Sequence, residues 1–462
     1  MKRLYALLST ICVCMNTLWG TLPAWRAFVP SADSYGVYLI PLSSYQAYPI
    51  AVEYGPSAVA ITPDAQRAVV VNETSETLSV LDLTTFPITS YDIPMGTIGT
   101  PTNIAITPDG TTAVVICAAA RLKAPAGSSG AYAIVVLDMT AQPVSVVSTI
   151  QAASGDALAI TPDGKRALVG LATGWTAQNP LTGVLGVVDL TTTPVSIITT
   201  AIPFVADGGI AVTPDGTRAL AVTQASNSLA MIDLTTPIPK QICGITVGQT
   251  PIDVAITPDG KRALVVFSGN GGGACMVDLA ASSLSIGSNS VSLEGTPTGV
   301  AITPDGKTAA VTVTEEGDEG FVVFLDLTTP LSPSPYYYVP VPSPADVAIT
   351  PDQAPTAQFT FSFGHKGDHW QRVHFDASAS TSPIGDIVQY AWDFDDGRTA
   401  VTTTPTTSHV YRHPRKGKHY QVRLTVTNSG GTSTDVTFTG RTVSNNGGPS
   451  ASCVVPLVVH PK

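Results

Sequence analysis

Six residues, Ala-Ile-Thr-Pro-Asp-Gly, return along this chain at a nearly fixed interval, and no other feature restricts the fold as strongly. The core AITPD ends at Asp64, Asp109, Asp163, Asp259, Asp305 and Asp352, and a variant AVTPD ends at Asp215. The spacings are 45, 54, 52, 44, 46 and 47 residues. Self-similarity at this period marks a repeat architecture, in which each unit stacks on its neighbours.

Each unit holds four short apolar runs. From Ile252, DVAIT leads into Pro258-Asp259-Gly260, and RALVVF, ACMVDL and SLSIGSNSVSL follow. Proline presets φ for a turn, aspartate bonds its own backbone, and glycine accepts positive φ. TPDG is therefore expected to join two antiparallel strands through a type I turn with a glycine bulge. The runs are rich in Val, Ile, Ala and Thr and lack a 3.6-residue period, so they read as strands. Four strands per unit at this spacing define a β-propeller blade.

Six blades begin near Ser57, Thr102, Asp156, Gly208, Ile252 and Thr298. A seventh is composite. Residues from Arg26 to Tyr54 align with the stretch from Arg218 but lack a first strand, and Ala345 to Thr350 supply one with no RALVV run behind it. Joining both ends in one blade removes the free edges of an open ring.

The unit VAITPDGKRALVV, followed by V-x-D-L-T-T, resembles the YVTN family of β-propeller repeats, common in surface-layer and secreted proteins, over residues 25–352. The eponymous Tyr-Val-Thr-Asn is absent; the strands read AVVVNE, AVVICA and ALVVFS. Residues 354–443 resemble a PKD domain, an Ig-like β-sandwich of extracellular proteins. The family's W-D-F-G-D-G appears as Trp392-Asp393-Phe394-Asp395-Asp396-Gly397, with Asp395 in place of glycine. The period-two alternation of Tyr420, Val422, Leu424 and Val426 is that of a half-buried strand. The expected fold class is all-β, a seven-bladed propeller followed by a PKD-type sandwich, with residues 444–462 as a C-terminal tail.

Residues 1–22 read as a secretory signal peptide: Lys2 and Arg3, an apolar stretch from Leu4 to Leu18, then Gly20 and Pro23. No later apolar run reaches a membrane span. Cys117, Cys243, Cys275 and Cys453 follow the signal without CxxC spacing, which argues against a disulfide framework. The net charge of -11 is unevenly distributed. Residues 25–354 carry 11 Lys and Arg against 27 Asp and Glu, whereas residues 355–462 carry 10 against 7 and all 7 histidines. An acidic propeller repels phosphate backbones, so nucleic acid is not an expected partner.

The repeated Asp of TPD and of the D-L pair read as turn formers. GNGGGA at Gly269 is followed by no helix and reads as an inter-strand loop, not a phosphate loop. His365, His369 and His374 form a loose trio that strand alternation would split. Arg412, His413, Arg415, Lys416, Lys418 and His419 read as one solvated basic loop.

The candidate ligand-binding residues lie elsewhere. Blade-to-blade loops bring Asn103, Asp156, Asp207, Asp253 and Asp346 to one mouth of the central channel. Carboxylates converging there suit Ca²⁺, a hard cation; no other cofactor is expected. Trp175 sits in a variable loop, where an aromatic side chain offers contact area at low entropy cost. Two functions stay open: an exported binding or scaffold protein meeting protein or carbohydrate at the cell surface, or a lactonase-type hydrolase at the channel mouth. The absence of histidine from the propeller weighs against catalysis there.

Overall fold

The structure is a computed structural model. It describes residues 25–118, 132–152, 155, 157–172, 183–192, 194–202, 207–280, 283–317, 319–328, 331, 337–351, 355–367, 370–382, 386–412, 419–428 and 451–459. These fall into two units, one between residues 25 and 351 and one between residues 355 and 459. Both are all-β.

The first unit contains seven four-stranded antiparallel sheets. Their innermost strands are Pro56–Ile61, Thr100–Ile106, Leu158–Ile160, Ile210–Val212, Pro251–Ile256, Thr296–Ile302 and Ala348–Ile349. Each touches the next in that order, and the last touches the first, so the ring closes. The second strands, such as Arg67–Asn72 and Arg262–Phe267, are buried on both faces because a neighbouring sheet covers each side. That explains why the RALVV runs do not alternate in polarity.

One sheet joins the two ends of the unit. Ala348–Ile349 pairs antiparallel with Arg26–Ser31, with Ala27 opposite Ile349 and Phe28 opposite Ala348. Around this short ladder, the Arg26 N–H donates to the Thr350 hydroxyl at 2.9 Å and the Thr350 N–H to the Arg26 carbonyl at 2.9 Å. The Ala345 N–H reaches the Pro30 carbonyl at 3.0 Å, and the Ser31 hydroxyl reaches the Pro342 carbonyl at 2.6 Å.

The Thr-Pro-Asp-Gly turns are alike in detail. In the turn at Thr257, the Gly260 N–H donates to the Thr257 carbonyl at 2.8 Å, and Gly260 has φ 68°. The buried Thr257 hydroxyl accepts from the Arg262 N–H at 3.1 Å and donates to Asp259 Oδ1 at 2.6 Å. Asp259 in turn accepts from the Lys261 N–H at 3.1 Å. The same set recurs at Thr107, Thr161, Thr213 and Thr303. At the turn starting at Thr62, Ala65 takes glycine's place with φ 54°. Arginine at the start of the second strand adds a link between sheets: Arg166, Arg218 and Arg262 donate to the carbonyls of Leu234, Ala280 and Leu327, each in the following sheet.

The second unit is a sandwich. One sheet orders Thr360–Gly367, Trp370–Asp376 and Thr406–Arg412. The other orders Thr399–Thr402, Ile387–Asp393, His419–Asn428 and Ser452–Val458. Trp392, Phe375, Phe394, Tyr411 and Val422 fill the space between them. Of the stretch 444–462, residues 451–459 are described, and they belong to this sandwich. Ser452–Val458 pairs along His419–Asn428, from Thr425 opposite Ser452 to His419 opposite Val458, and buries Leu457 in the core. The sequence of this strand is short and interrupted by Pro456, which an edge position tolerates.

Partial burial raises the turn carboxylates of Asp109, Asp163, Asp215 and Asp259, but hydrogen bonds from the threonine hydroxyls and backbone N–H groups outweigh it and lower them overall. A lowered folded value means stability that is complete above the ordinary aspartate pKa of about 3.9 and lost as pH falls through the lowered values. Unfolding measured at pH 6 and pH 3 is expected to show this loss, and a Thr257→Val chain is expected to lose less than the parent between the two. A separate check concerns closure. Thr350→Val leaves the Arg26 N–H without its acceptor and is expected to cost about 1–3 kcal/mol in urea unfolding, with Thr350→Ser close to the parent.

Candidate functional site

The seven innermost strands surround a central cavity of about 490 Å³. At one end it is bounded by prolines of the turns, among them Pro63, Pro162 and Pro258. At the other end it is bounded by Asn103, Asp207, Asp253 and Asp346. Four of the six candidate residues thus meet at one rim. Asp156 and Trp175 lie outside the described residues, as do most of the variable loops at 118–131 and 173–184.

The two half-buried carboxylates are engaged by the backbone. Asp253 Oδ1 accepts from the Val254 N–H at 2.8 Å, and Oδ2 accepts from the Val300 N–H of the next sheet at 3.1 Å. Asp346 repeats this: Oδ1 accepts from Val347 at 2.7 Å and Oδ2 from Val59 of the next sheet at 3.2 Å. Each carboxylate therefore latches two innermost strands together. Asn103 Oδ1 accepts from the Ile104 N–H at 2.7 Å. Asp207 is exposed; its Oδ1 accepts from the Gln224 N–H at 2.7 Å and its carbonyl from Gln224 Nε2 at 3.1 Å.

Two glycines make room for the latches. A Cβ on Gly209 would collide with Asp253 Oδ1, and one on Gly299 would lie 3.1 Å from Asp346 Oδ1. Sequence reasoning named the aspartates and missed the glycines. The signal was present: the position four residues before the turn threonine reads Gly209, Asp253, Gly299, Asp346 in consecutive units.

Among the described residues, no group of three or more His, Cys, Asp or Glu side chains is placed to hold a metal ion. Nor is a thiolate at hand. Burial pushes the Cys117 thiol up to about 12 and the Cys275 thiol up to about 11. The Asp of the D-L pair is a turn former: Asp82, Asp138, Asp189, Asp233 and Asp326 each accept from the hydroxyl and N–H of the threonine two residues on. GNGGGA carries a single 3-10 turn, Gly269–Gly271, between two strands.

In the sandwich, Asp395, which stands where the family motif has glycine, takes φ 56°, a left-handed conformation that glycine adopts at least cost, and its Oδ2 accepts from the Gln421 N–H at 2.9 Å. Asp396 Oδ2 pairs with His409 Nε2 at 2.8 Å, and the His409 ring stacks on Phe394 with centroids 4.0 Å apart. His365 and His374 are exposed on adjacent strands, and His374 faces Ser362; His369 lies outside the described residues. Residues 413–418 of the basic loop also lie outside them.

Residues 352–443 match the PKD domain. No curated protein matches the chain. Among solved structures, a protein of unknown function from Desulfotomaculum acetoxidans is 16% identical, with a TM-score of 0.56 over 70% of this chain and 98% of its own. A protein from Bacteroides uniformis to which 6-phosphogluconolactonase activity is ascribed is 17% identical, with a TM-score of 0.56 over 71% of this chain and 100% of its own. The periplasmic gluconolactonase of Pseudomonas aeruginosa is 16% identical, with a TM-score of 0.54 over 71% of this chain and 99% of its own. At these identities the likeness is one of fold. The chain is thus an all-β protein in which a propeller-like unit precedes a PKD domain.

The latches can be tested by a mutant cycle. Asp253→Ala leaves two N–H groups without acceptors, and Gly209→Ala forces Asp253 aside; each is expected to cost about 1–3 kcal/mol. The double variant is expected to fall short of the sum by at least about 0.5 kcal/mol, because both changes break one contact. Gly299→Ala is expected to cost less than Gly209→Ala in the same unfolding assay.

Proposed function

We propose that this chain is an exported, non-catalytic binding or scaffold protein, in which a YVTN-type propeller of residues 25–352 and the PKD domain meet protein or carbohydrate outside the cytoplasm. The observation that carries this reading is the use of Asp253 and Asp346 as inter-blade latches. A catalytic base needs a lone pair free to take a proton from substrate or water. A carboxylate whose two oxygens hold neighbouring strands together moves only at the expense of the ring.

Further support comes from residue type. The propeller sequence holds no histidine. PKD domains are typical of extracellular proteins, in keeping with the signal-like residues 1–22. Among the described residues no helix is long and apolar enough to cross a membrane. Under this reading Asn103, Asp156, Asp207, Asp253, Asp346 and Trp175 frame the binding face.

The second reading, a lactone hydrolase at the same rim, is favoured by the names of two structures of similar fold. One experiment separates the two. Purified full-length protein is assayed for hydrolysis of 6-phosphogluconolactone and gluconolactone, and in parallel for retention on glycan and cell-envelope preparations. Retention without turnover is expected. Turnover abolished by Asp207→Asn in a chain of unchanged stability would overturn the binding reading in favour of the hydrolase.

A further inference from the structure

The latches follow a rule that a ring of seven sheets cannot keep. An aspartate latch needs a small residue at the matching position of the sheet before it. A Cβ on Gly209 would collide with Asp253 Oδ1, and Gly299 stands in the same relation to Asp346. Two neighbouring positions therefore cannot both hold a latch, and a regular ring would alternate small and large residues. In ring order the positions read Ala58, Asn103, Ala157, Gly209, Asp253, Gly299 and Asp346. Seven is odd, so the alternation must fail once. It fails at Ala157 and Gly209, where two small residues are neighbours.

The consequence is local. Asp253 accepts from the Val300 N–H and Asp346 from the Val59 N–H, each tying its sheet to the next. The equivalent pair here is Ala157 and the Ile210 N–H, and a methyl group cannot accept. Two independent features fall at the same junction. The innermost strands Leu158–Ile160 and Ile210–Val212 have three residues each, against six in Pro251–Ile256 and seven in Thr296–Ile302. The core between these two sheets is also rich in alanine. Ala157, Ala219, Ala221 and Ala230 are four of its ten described buried residues, a larger share than in any other core between sheets. Each alanine removes little more than a methyl group from water, so the junction gains less from burial. At the turn end it is tied like its neighbours, by Arg166 donating to the Leu234 carbonyl at 3.1 Å. The closing sheet, by contrast, carries the Asp346 latch and the Arg26–Thr350 bonds.

We infer that the propeller ring parts first at its rim between the sheets of Leu158–Ile160 and Ile210–Val212, hinging on the Arg166–Leu234 link, while the sheet that joins the chain ends stays seated. This opening belongs to the ring itself and is independent of what the rim binds.

Thiol labelling of the folded full-length protein, read peptide by peptide by mass spectrometry, tests this, because a buried thiol reacts only when its core opens. Cys117 lies in the core between the first and second sheets, counted from Pro56–Ile61, and Cys275 in that between the fourth and fifth, so both are internal references. Ala221→Cys puts a thiol in the alanine-rich core, and Ala68→Cys puts one against the closing sheet. The thiol at position 221 is expected to react about tenfold faster than Cys117, Cys275 and the thiol at position 68, the effect of roughly one hydrogen bond. Each variant is first shown to unfold at the parent's midpoint; if one does not, Ala230→Cys or Ala348→Cys replaces it. Adding Asn103→Ala and Ala157→Asp to Ala221→Cys gives the Ile210 N–H an acceptor and moves the two small neighbours to positions 58 and 103. Labelling at position 221 is then expected to slow about tenfold, and Cys117, now at the unlatched junction, to react faster. One common rate for all the thiols, fastest reaction at a reference thiol, or rates unmoved by the paired change in a folded chain would each overturn the inference. If the chain with the paired change does not fold, the first comparison decides alone.

Discussion

No blade of this propeller has a core of its own. A single four-stranded sheet is about one side chain thick, so its apolar residues are covered only when a second sheet lies against each face. The buried clusters follow that rule around the ring. Val69, Val71 and Val80 of one sheet meet Val115, Val135 and Leu137 of the next. Val114, Ile116 and Ile134 then meet Val169, Leu171 and Val188. The series continues to the closing sheet, where Ala27, Val29 and Ile349 pack on Val322 and Phe324, while Phe28 and Ala348 pack on Val59 and Val70. Nearest-neighbour burial of this kind is how repeat proteins obtain stability, and a ring has no terminal repeat that must be capped. The arginine links and the aspartate latches hold neighbouring sheets at the spacing this packing needs, and the threonine-centred turns fix the hairpins within each sheet.

The parts of the fold that were legible in the sequence are those whose physics is local. Thr257, Pro258, Asp259 and Gly260 form their turn within six residues of chain, and every partner in that turn is a near neighbour. The strands could be read because burial on both faces leaves an unbroken apolar run. The composite blade could be read because a repeat missing its first strand implies that strand elsewhere. Ser452–Val458 was not legible. Its pairing with His419–Asn428 is set by the sandwich, and a seven-residue run containing Pro456 carries little signal of its own. The latches were half legible. The aspartates stood out as repeated acids near the channel, but their acceptor role depends on a donor in the next unit, 47 residues away for Asp253 and Val300. Stacking of adjacent sheets brings that pair within reach, whereas Asp346 and Val59, 287 residues apart, meet only when the ring closes.

The rim therefore has two kinds of carboxylate. Asp253 and Asp346 belong to the scaffold as much as to the cavity, and the glycines beside them show that the surrounding chain is shaped to admit them. Among the described residues Asp207 is bonded to Gln224 in its own blade, and it is exposed. Two of the three rim carboxylates, Asp253 and Asp346, are thus held in place by the ring itself.

The closing ladder also bears on how the chain matures. Arg26 and Thr350, joined by two backbone-directed bonds, are separated by 324 residues. During synthesis, the edge of Arg26–Ser31 that will receive Ala348–Ile349 has no partner until nearly the whole array has emerged. Contacts of such sequence separation are slow to form, and an unpaired strand edge invites pairing with another chain. Closing the ring is thus the step at which an open, association-prone string of sheets becomes a unit without edges at its seam.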